Sequence, residues 1–396
     1  MRTLATGLMV GVVALMLSLL GCASFGADEK SSSPSPSADG GPADGGPAGD
    51  SGPVTGTGIS PSPQCSADLQ TDTMNCGRCA HSCLGGVCAA GRCQPIVLSS
   101  TSEEIDGLAI TADSIYVSGF HAKNVRGCKL PCPGGLKELA KGNGNVTGLV
   151  VDATSVYFAD WGAGATSSIR KCILPGCAGG PIDVVNGNDP ATLNRPFDLV
   201  LSGTHLFWTS YYGKNVGECS VGCSGAPGTV LAAESAPTSA AITNADHIFW
   251  VGGDVSKPGT GSIRTCALPG CAGGATSLAE GLDQPRFMAL SSDHIFWTSP
   301  TAIMQCKLPG CPAGPTQLVA GLNDPVGVAT AGGSIYWNTL DGVSACTLPS
   351  CSDVTTVAAG AASPGFVRSG RLATDGHAIA WDNGGGTVRV VATPWR

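Results

Sequence analysis

One stretch of the sequence reads Ile295-Phe296-Trp297, then Cys306-Lys307-Leu308-Pro309-Gly310-Cys311, then Pro315-Thr316-Gln317-Leu318-Val319-Ala320-Gly321. The apolar triplet is typical of a buried β-strand, and the proline and glycine between the cysteines favour a tight turn. A further strand is indicated after the turn, at Thr316–Val319. The stretch therefore predicts a hairpin, and similar stretches recur from about residue 95 to the end of the chain.

Each recurring unit contains four strand signals in a fixed order. The second strand of each unit carries a large aromatic residue, and these residues lie about 40 to 50 positions apart. They are Tyr116, Tyr157, Trp208, Trp250, Trp297, Trp337 and Trp381. A repeat of this length with four β segments predicts a blade of a β-propeller.

The number of strand signals predicts how the ring closes. The chain has seven first, second and third strands after residue 104, but only six fourth strands. The segment Pro95–Ser99 has the same pattern as Thr316–Val319 and precedes all of them. We therefore expect an all-β, seven-bladed β-propeller of four-stranded blades at residues 95–396. The N-terminal strand completes the last blade, at residues 366–396, which leaves no free sheet edge in the ring.

Six cysteine pairs lie between third and fourth strands, most of them around Leu-Pro-Gly or a close variant. They are Cys128/Cys132, Cys172/Cys177, Cys219/Cys223, Cys266/Cys271, Cys306/Cys311 and Cys346/Cys351. Residues that face each other across a hairpin end lie close enough for a disulfide, so each pair is expected to link its own hairpin. A metal site in each blade is the alternative, although two thiolates supply only half of a zinc coordination shell.

Composition limits the class of protein. The chain has 396 residues, with 58 glycines and 27 prolines, as in turn-rich all-β proteins. Its formal net charge of -8 provides no basic surface, so nucleic acid is not expected as a partner. Nineteen cysteines in regular spacings indicate an oxidising compartment.

The N-terminus predicts export and membrane attachment. Arg2 precedes an apolar run that ends in Leu19-Leu20-Gly21-Cys22, which resembles the lipobox of bacterial lipoproteins. This resemblance implies a signal peptide at residues 1–21, lipidation of Cys22 and a location in the cell envelope outside the cytoplasm, at the outer membrane. An uncleaved transmembrane helix is the alternative. Residues 22–63 are rich in Ser, Pro, Gly and Ala, which predicts a disordered tether.

Residues 64–94 form a separate cysteine-rich module, in which six cysteines predict three disulfides of undetermined connectivity. The run Asn75-Cys76-Gly77-Arg78-Cys79, with the cysteines that follow it, resembles Stig1-like modules. The spacing of Cys76 and Cys79 is also that of zinc ligands, which is the alternative.

Within the repeats, Leu282-Asp283-Gln284-Pro285, Ile335-Tyr336-Trp337-Asn338 and Leu206-Phe207-Trp208-Thr209 resemble YWTD and NHL propeller repeats. The resemblance implies the propeller architecture. Two features depart from the YWTD pattern: seven blades are counted where that family has six, and a Leu-Pro-Gly turn between cysteines replaces its Leu-Asp-Gly turn.

Candidate site residues fall into two groups. Three histidines at one repeat position, His205, His247 and His294, belong to different blades, so we expect turn residues and not a shared metal site. Loops that join a fourth strand to the next first strand surround the channel mouth. There we expect a polar ligand site, whose residues are Asp106, Arg195, Asp198, Arg286 and Arg368.

No catalytic motif is visible, so the sequence predicts a lipid-anchored binding or scaffold protein without catalysis, cofactor or metal. Its expected partners are the membrane and an envelope protein or polysaccharide, and we expect a monomer. The alternative is an enzyme, a lyase or glycan hydrolase, with its site in the channel-mouth loops. A purely structural envelope protein is a third possibility.

Overall fold

The computed structural model describes residues 68–100, 104–162, 166–187, 193–225, 228–236, 238–254, 257–339, 341–360, 371–382 and 386–394. The predicted signal peptide, Cys22, the tether and Arg368 lie outside these residues. Over the described part of the chain, no helix is long and apolar enough to cross a membrane.

Seven four-stranded antiparallel sheets follow one another along the chain. The strands of the first four are β4 (Ile105–Ile110), β5 (Ser114–Gly119), β6 (Asn124–Lys129), β7 (Lys137–Lys141); β8 (Val146–Val151), β9 (Ser155–Asp160), β10 (Ser168–Ile173), β11 (Ile182–Asn186); β12 (Pro196–Ser202), β13 (His205–Ser210), β14 (Asn215–Ser220), β15 (Thr229–Ala233); β16 (Thr238–Thr243), β17 (His247–Gly252), β18 (Gly261–Ala267), β19 (Thr276–Leu282). These sheets are blades 1 to 4.

Blades 5 to 7 repeat the pattern and close the ring. Their strands are β20 (Met288–Leu290), β21 (His294–Ser299), β22 (Ala302–Lys307), β23 (Thr316–Ala320); β24 (Val328–Ala331), β25 (Ser334–Thr339), β26 (Gly342–Thr347), β27 (Thr355–Ala359); β28 (Leu372–Thr374), β29 (Ala378–Asp382), β30 (Thr387–Ala392) and β3 (Ile96–Ser100). Because β3 pairs with β30, the predicted seven-bladed ring and its closure by the N-terminal strand are confirmed.

The core lies between blades. Second-strand residues such as Trp208, Trp297 and Trp381 are almost completely buried. Each buried cluster combines residues of neighbouring blades: Phe249 of blade 4, for example, shares a cluster with Ile295 and Trp297 of blade 5. Apolar side chains that alternate along each strand therefore pack against the neighbouring sheet.

Buried polar side chains at the ends of several second strands connect the blades. Thr298 donates to the carbonyl of Val326 at 2.9 Å, and the amide of Asn338 donates to the carbonyl of Asp382 at 3.1 Å. These groups satisfy backbone carbonyls of the next blade that water cannot reach.

The cysteine-rich module packs on the propeller. Its short strands β1 (Cys88–Ala89) and β2 (Arg92–Cys93) form a two-stranded sheet. Disulfides join Cys76 to Cys88 and Cys83 to Cys93, and Cys79 is also disulfide-bonded. These pairings oppose the zinc alternative, because oxidised sulfurs are not metal ligands.

Candidate functional site

The antiparallel order of each blade determines which residues reach the channel mouth. Connections from second to third strands, and from a fourth strand to the next first strand, emerge at one rim of the ring. Turns from first to second strands and the cysteine-containing connections emerge at the other. We call the first rim the mouth.

Arg371, just before β28 of blade 7, reaches across the mouth. Its Nη1 lies 3.1 Å from Oδ1 of Asp198 in blade 3. Its guanidinium carbon lies 4.6 Å from the ring centroid of Phe287, before blade 5, and 5.9 Å from that of Phe197. Because blades 3, 5 and 7 are not neighbours, this side chain lies over the channel.

Asp106 lies in β4 of blade 1, close to Arg371. Its Oδ2 accepts a hydrogen bond from the backbone N–H of Phe120 at 3.0 Å. Burial raises the pKa of Asp106 to about 6, and the nearby positive charges of Arg371 and His121 act in the opposite direction. The carboxyl with this pKa is therefore half ionised at about pH 6.

Arg195 contacts two aromatic rings. Its guanidinium carbon lies 4.4 Å from the ring centroid of Tyr212 and 5.3 Å from that of Trp161. Trp161 is held in place by its indole N–H, which donates to the carbonyl of Pro196 at 2.6 Å. Both contacts are within the distance of a cation–π interaction.

Further rings extend this arrangement in both directions. Phe120 lies edge-on to Trp161 at 4.9 Å and to His121 at 5.1 Å. Tyr211 lies 5.2 Å from Tyr212 and 6.2 Å from Phe197. We call the continuous row of side chains the mouth belt: His121, Phe120, Trp161, Arg195, Tyr212, Tyr211, Phe197, Arg371 and Phe287.

The residues predicted for a ligand site separate into three groups. Arg195 belongs to the mouth belt, and Asp198 and Asp106 lie beside its arginine, Arg371. Arg286 is also at the mouth, but it is paired with Asp324 at 2.7 Å. Arg368 lies outside the described residues. Arg371 thus pairs with Asp198, and its charge also acts on Asp106, although Arg371 was not among the predicted site residues.

Most of the rings were not among the predicted site residues. The predicted residues lie in the connections between blades, whereas Phe120, Trp161, Tyr211 and Tyr212 lie in connections from second to third strands within blades. Their signal was present in the sequence: each lies within two residues after the repeat's second strand, and none has an equivalent aromatic residue in blades 5 and 6.

The three repeat-position histidines do not form a common site. His205, His247 and His294 each lie next to a phenylalanine of their own strand, with ring centroids 6.0 to 6.2 Å apart. In the described residues, the only group of potential metal ligands is Cys76, Cys83 and Cys93, and these sulfurs are in disulfides.

The structure contains all six hairpin disulfides, with Cα–Cα distances from 4.8 to 6.2 Å. The first cysteine of each pair lies in the third strand of its blade, as Cys306 does opposite Ile295 of the second strand. These first cysteines are Cys128, Cys172, Cys219, Cys266, Cys306 and Cys346.

The expected position of the second cysteine, facing the first across the hairpin, was wrong. In all six blades it lies in the turn, before the fourth strand begins: Cys132, Cys177, Cys223, Cys271, Cys311 and Cys351. The physical reason is that the chain reverses within the four or five residues that separate the two cysteines. Each disulfide therefore links a strand end to its turn, and does not cross-link third and fourth strands.

Cys223 of blade 3 departs furthest from the expected hairpin. Its turn, Ser220-Val221-Gly222, contains no proline, and its N–H donates to the carbonyl of Ser220 at 2.9 Å. The Cα–Cα distance to Cys219 is 6.2 Å, the longest of the six. Cys223 is half-buried and packs at the edge of the cluster between blades 2 and 3, six residues before β15 begins at Thr229.

Comparisons with known proteins agree on the fold alone. No family model and no curated protein sequence matches the chain. Three solved structures illustrate the likeness. A streptogramin B lyase is 11% identical with a TM-score of 0.57, covering 76% of this chain and 97% of its own. A catalytically inactive variant of virginiamycin B lyase from Staphylococcus aureus, solved with quinupristin, is 12% identical with a TM-score of 0.55, covering 76% and 98%. The WD40 β-propeller domain of Doa1 is 11% identical with a TM-score of 0.54, covering 76% and 97%.

Proposed function

We propose that this protein is a lipid-anchored, extracytoplasmic binding protein whose propeller takes its ligand at the mouth belt. The observation that carries the proposal is the row of contacting aromatic rings and arginines. Tyr212 is 55% exposed although it lies against Arg195 and Tyr211. Aromatic and arginine side chains dominate binding surfaces, because they offer apolar area with little loss of conformational entropy.

The position of the belt supports binding in preference to a purely structural role. Structural aromatic residues of this ring, such as Trp208 and Trp297, are buried between blades. Most rings of the belt instead come from loops on a rigid scaffold, the usual place for binding residues; Phe197 alone lies in a strand, β12. Propellers bind their ligands at such a mouth because loops from several blades converge there.

The test of binding is retention from solubilised envelope and exopolysaccharide fractions by the immobilised full-length protein. A Trp161→Ala, Tyr212→Ala double variant removes two faces of the belt and is expected to lose specific retention. Arg92→Gln, on the cysteine-rich module, is the matched control. Equal retention by the double variant would contradict binding at the belt.

The proposed anchor rests on the sequence of the first 22 residues and agrees with the disulfides of the folded part. A Cys22→Ser variant is expected to leave the membrane fraction and appear in the soluble extracytoplasmic fraction. Cell fractionation with and without this substitution measures the effect. A variant that stays in the membrane would indicate an uncleaved helix.

A second candidate function is catalysis at the same mouth. The observation that favours it is Asp106, whose pKa of about 6 suits a general acid or base and which lies near His121. The lyases of similar fold suggest one compound to test, the quinupristin with which one of them was solved. Conversion of quinupristin that mass spectrometry detects with the native protein, and that Asp106→Asn abolishes, would establish this activity; an unchanged compound would exclude it for quinupristin.

A further inference from the structure

The belt contains a cation for which the described residues supply no anion. Arg371 is paired with Asp198, and Arg286 with Asp324. Arg195, in contrast, is exposed and forms no ion pair with any carboxylate in the described residues, although it contacts Trp161 and Tyr212. Two aromatic faces thus orient a guanidinium whose hydrogen-bond donors have no acceptor among the residues that the structure describes.

The backbone of Arg195 is fixed by its neighbours. Its φ of 54° lies in the left-handed region, which costs energy for a residue with a side chain. Its N–H donates to Oγ of Ser167 in blade 2 at 3.0 Å, and its carbonyl accepts from the N–H of Tyr211 in blade 3 at 3.1 Å. Two blades therefore hold the backbone of Arg195 in this conformation, and the same left-handed turn before a proline recurs at Gln284 and Asp324.

We propose that Arg195 binds the carboxylate of an acidic sugar, and that the rings beside it stack on the sugar units of a uronic-acid polysaccharide. This assignment rests on the proposed binding function of the mouth belt. A guanidinium forms bidentate hydrogen bonds with a carboxylate. Lys214, exposed at the same connection as Tyr211 and Tyr212, adds a second positive charge, and its Nζ donates only to the carbonyl of Ser235 among the described residues.

The geometry favours a polysaccharide over an acidic peptide. Peptides in extended form are bound by main-chain pairing with a sheet edge or by a groove with alternating pockets. Phe120, Trp161, Tyr211 and Tyr212 lie in loops and offer side-chain faces without a strand to pair with. Phe120 meets Trp161 edge to face at 87°, and Tyr211 meets Tyr212 at 69°. The rings therefore offer separate faces to separate sugar units, each of which has an apolar face and polar edges.

Calorimetric titration of the full-length protein with an oligogalacturonate tests the proposal. Its methyl ester is the matched neutral ligand, with the same backbone but no free carboxylate. We expect the ester to bind about 10- to 100-fold more weakly, the value of a hydrogen-bonded charge. Arg195→Gln is expected to weaken binding of the acid by a similar factor and to leave binding of the ester unchanged. Arg92→Gln, which removes the same charge from the cysteine-rich module, is expected to change neither.

Three results would overturn the assignment. The first is equal binding of acid and ester, the second is no effect of Arg195→Gln, and the third is tighter, Arg195-dependent binding of an oligoglutamate peptide. The proposed function fails separately, because it requires loss of retention from envelope and exopolysaccharide fractions in the Trp161→Ala, Tyr212→Ala variant. If that variant loses retention while oligogalacturonate does not bind, only the ligand class is wrong.

Discussion

Asp106 couples the mouth to pH. Its pKa is raised by burial from 3.8 to about 6 in the folded protein, so the folded state holds the proton more tightly than the unfolded state. This group's contribution to stability is therefore greatest below about pH 4 and is lost as the pH rises towards 6. Asp106→Asn removes the free-energy cost of ionising a buried carboxyl, and the amide oxygen can still accept a hydrogen bond from the backbone N–H of Phe120. We expect the variant to be more stable than the native protein at pH 7, by on the order of 2 kcal/mol.

Denaturant unfolding at pH 4.5 and pH 7 measures this effect. The two proteins are expected to differ little at the lower pH and to diverge at the higher. A parallel pH dependence of both proteins would show that Asp106 titrates in the folded state as it does in the unfolded chain.

Arg371 and Asp198 form an ion pair with side chains only 14% and 9% exposed. Asp198 also accepts from the backbone N–H of Ala241 at 3.0 Å through Oδ2. Arg371→Met leaves this carboxylate without its cation and is expected to cost about 3 to 5 kcal/mol of unfolding free energy. Adding Asp198→Asn is expected to recover part of the loss, because the buried charge is then absent. Additive losses in a double-mutant cycle would mean that the two side chains do not interact.

The residues of the mouth show what a sequence can indicate about a site. Asp106, Arg195 and Asp198 follow from their place in the repeat, because first strands and the loops before them always border the channel. Arg371 follows the same rule, but its contacts with blades 3 and 5 depend on the ring's diameter and on side-chain reach, which no local pattern contains. The aromatic residues of the belt could be recognised from the sequence, because the connections from second to third strands contain them in some blades and not in others.

At the level of the element, the cysteine hairpin is the part that the sequence predicted least accurately. The pairs and their turn followed from spacing, but the second cysteine was expected across the hairpin from the first. Instead, the second cysteine of five hairpins adopts a positive φ in the turn: Cys132, Cys177, Cys271, Cys311 and Cys351. The sixth, Cys223, also lies in its turn, the one without proline. Blade 7 has Val391 opposite Ile379, at the position that Cys306 takes opposite Ile295 in blade 5.

Two variants separate the covalent link from the packing in blade 5. Cys306→Val with Cys311→Ala removes the cross-link but keeps an apolar side chain of the kind found at Val391. We expect it to lower the unfolding free energy by about 2 kcal/mol, from the chain entropy of a short loop. Cys306→Ala with Cys311→Ala is expected to cost about 1 kcal/mol more, because volume is lost from the buried cluster that contains Phe249. Thermal and denaturant unfolding measure both effects. If Cys306→Val with Cys311→Ala unfolds with the free energy of the native protein, the disulfide contributes no stability.

At the scale of the whole molecule, the N-terminal part of the chain contacts the ring in two ways. Strand β3 completes blade 7, as the number of strand signals predicted. The module that precedes it then packs where blade 7 lacks a cysteine hairpin: Cys76, Cys83, Cys88 and Cys93 share one buried cluster with Tyr336 of blade 6 and with Trp381 and Val391 of blade 7. Nε2 of His81 also lies 3.1 Å from the carbonyl oxygen of Thr393, after β30. No local pattern predicted this docking, because His81 and Thr393 are 312 residues apart in the chain.

This docking predicts that the module stabilises the propeller. Leu84 packs against the cluster shared with blades 6 and 7 and against the cluster of blades 7 and 1. Leu84→Asn keeps a residue type that tolerates the left-handed φ of 57° at this position, but removes the apolar contact. We expect it to lower the propeller's unfolding free energy by about 2 kcal/mol.

Met74→Asn, at a side chain that is 62% exposed on the same module, is the matched control and is expected to have no effect. Tryptophan fluorescence reports on the propeller alone, since all seven tryptophans lie in residues 95–396. An unchanged fluorescence transition in Leu84→Asn would mean that the module folds as an independent domain, and the ring would then owe its closure to β3 alone.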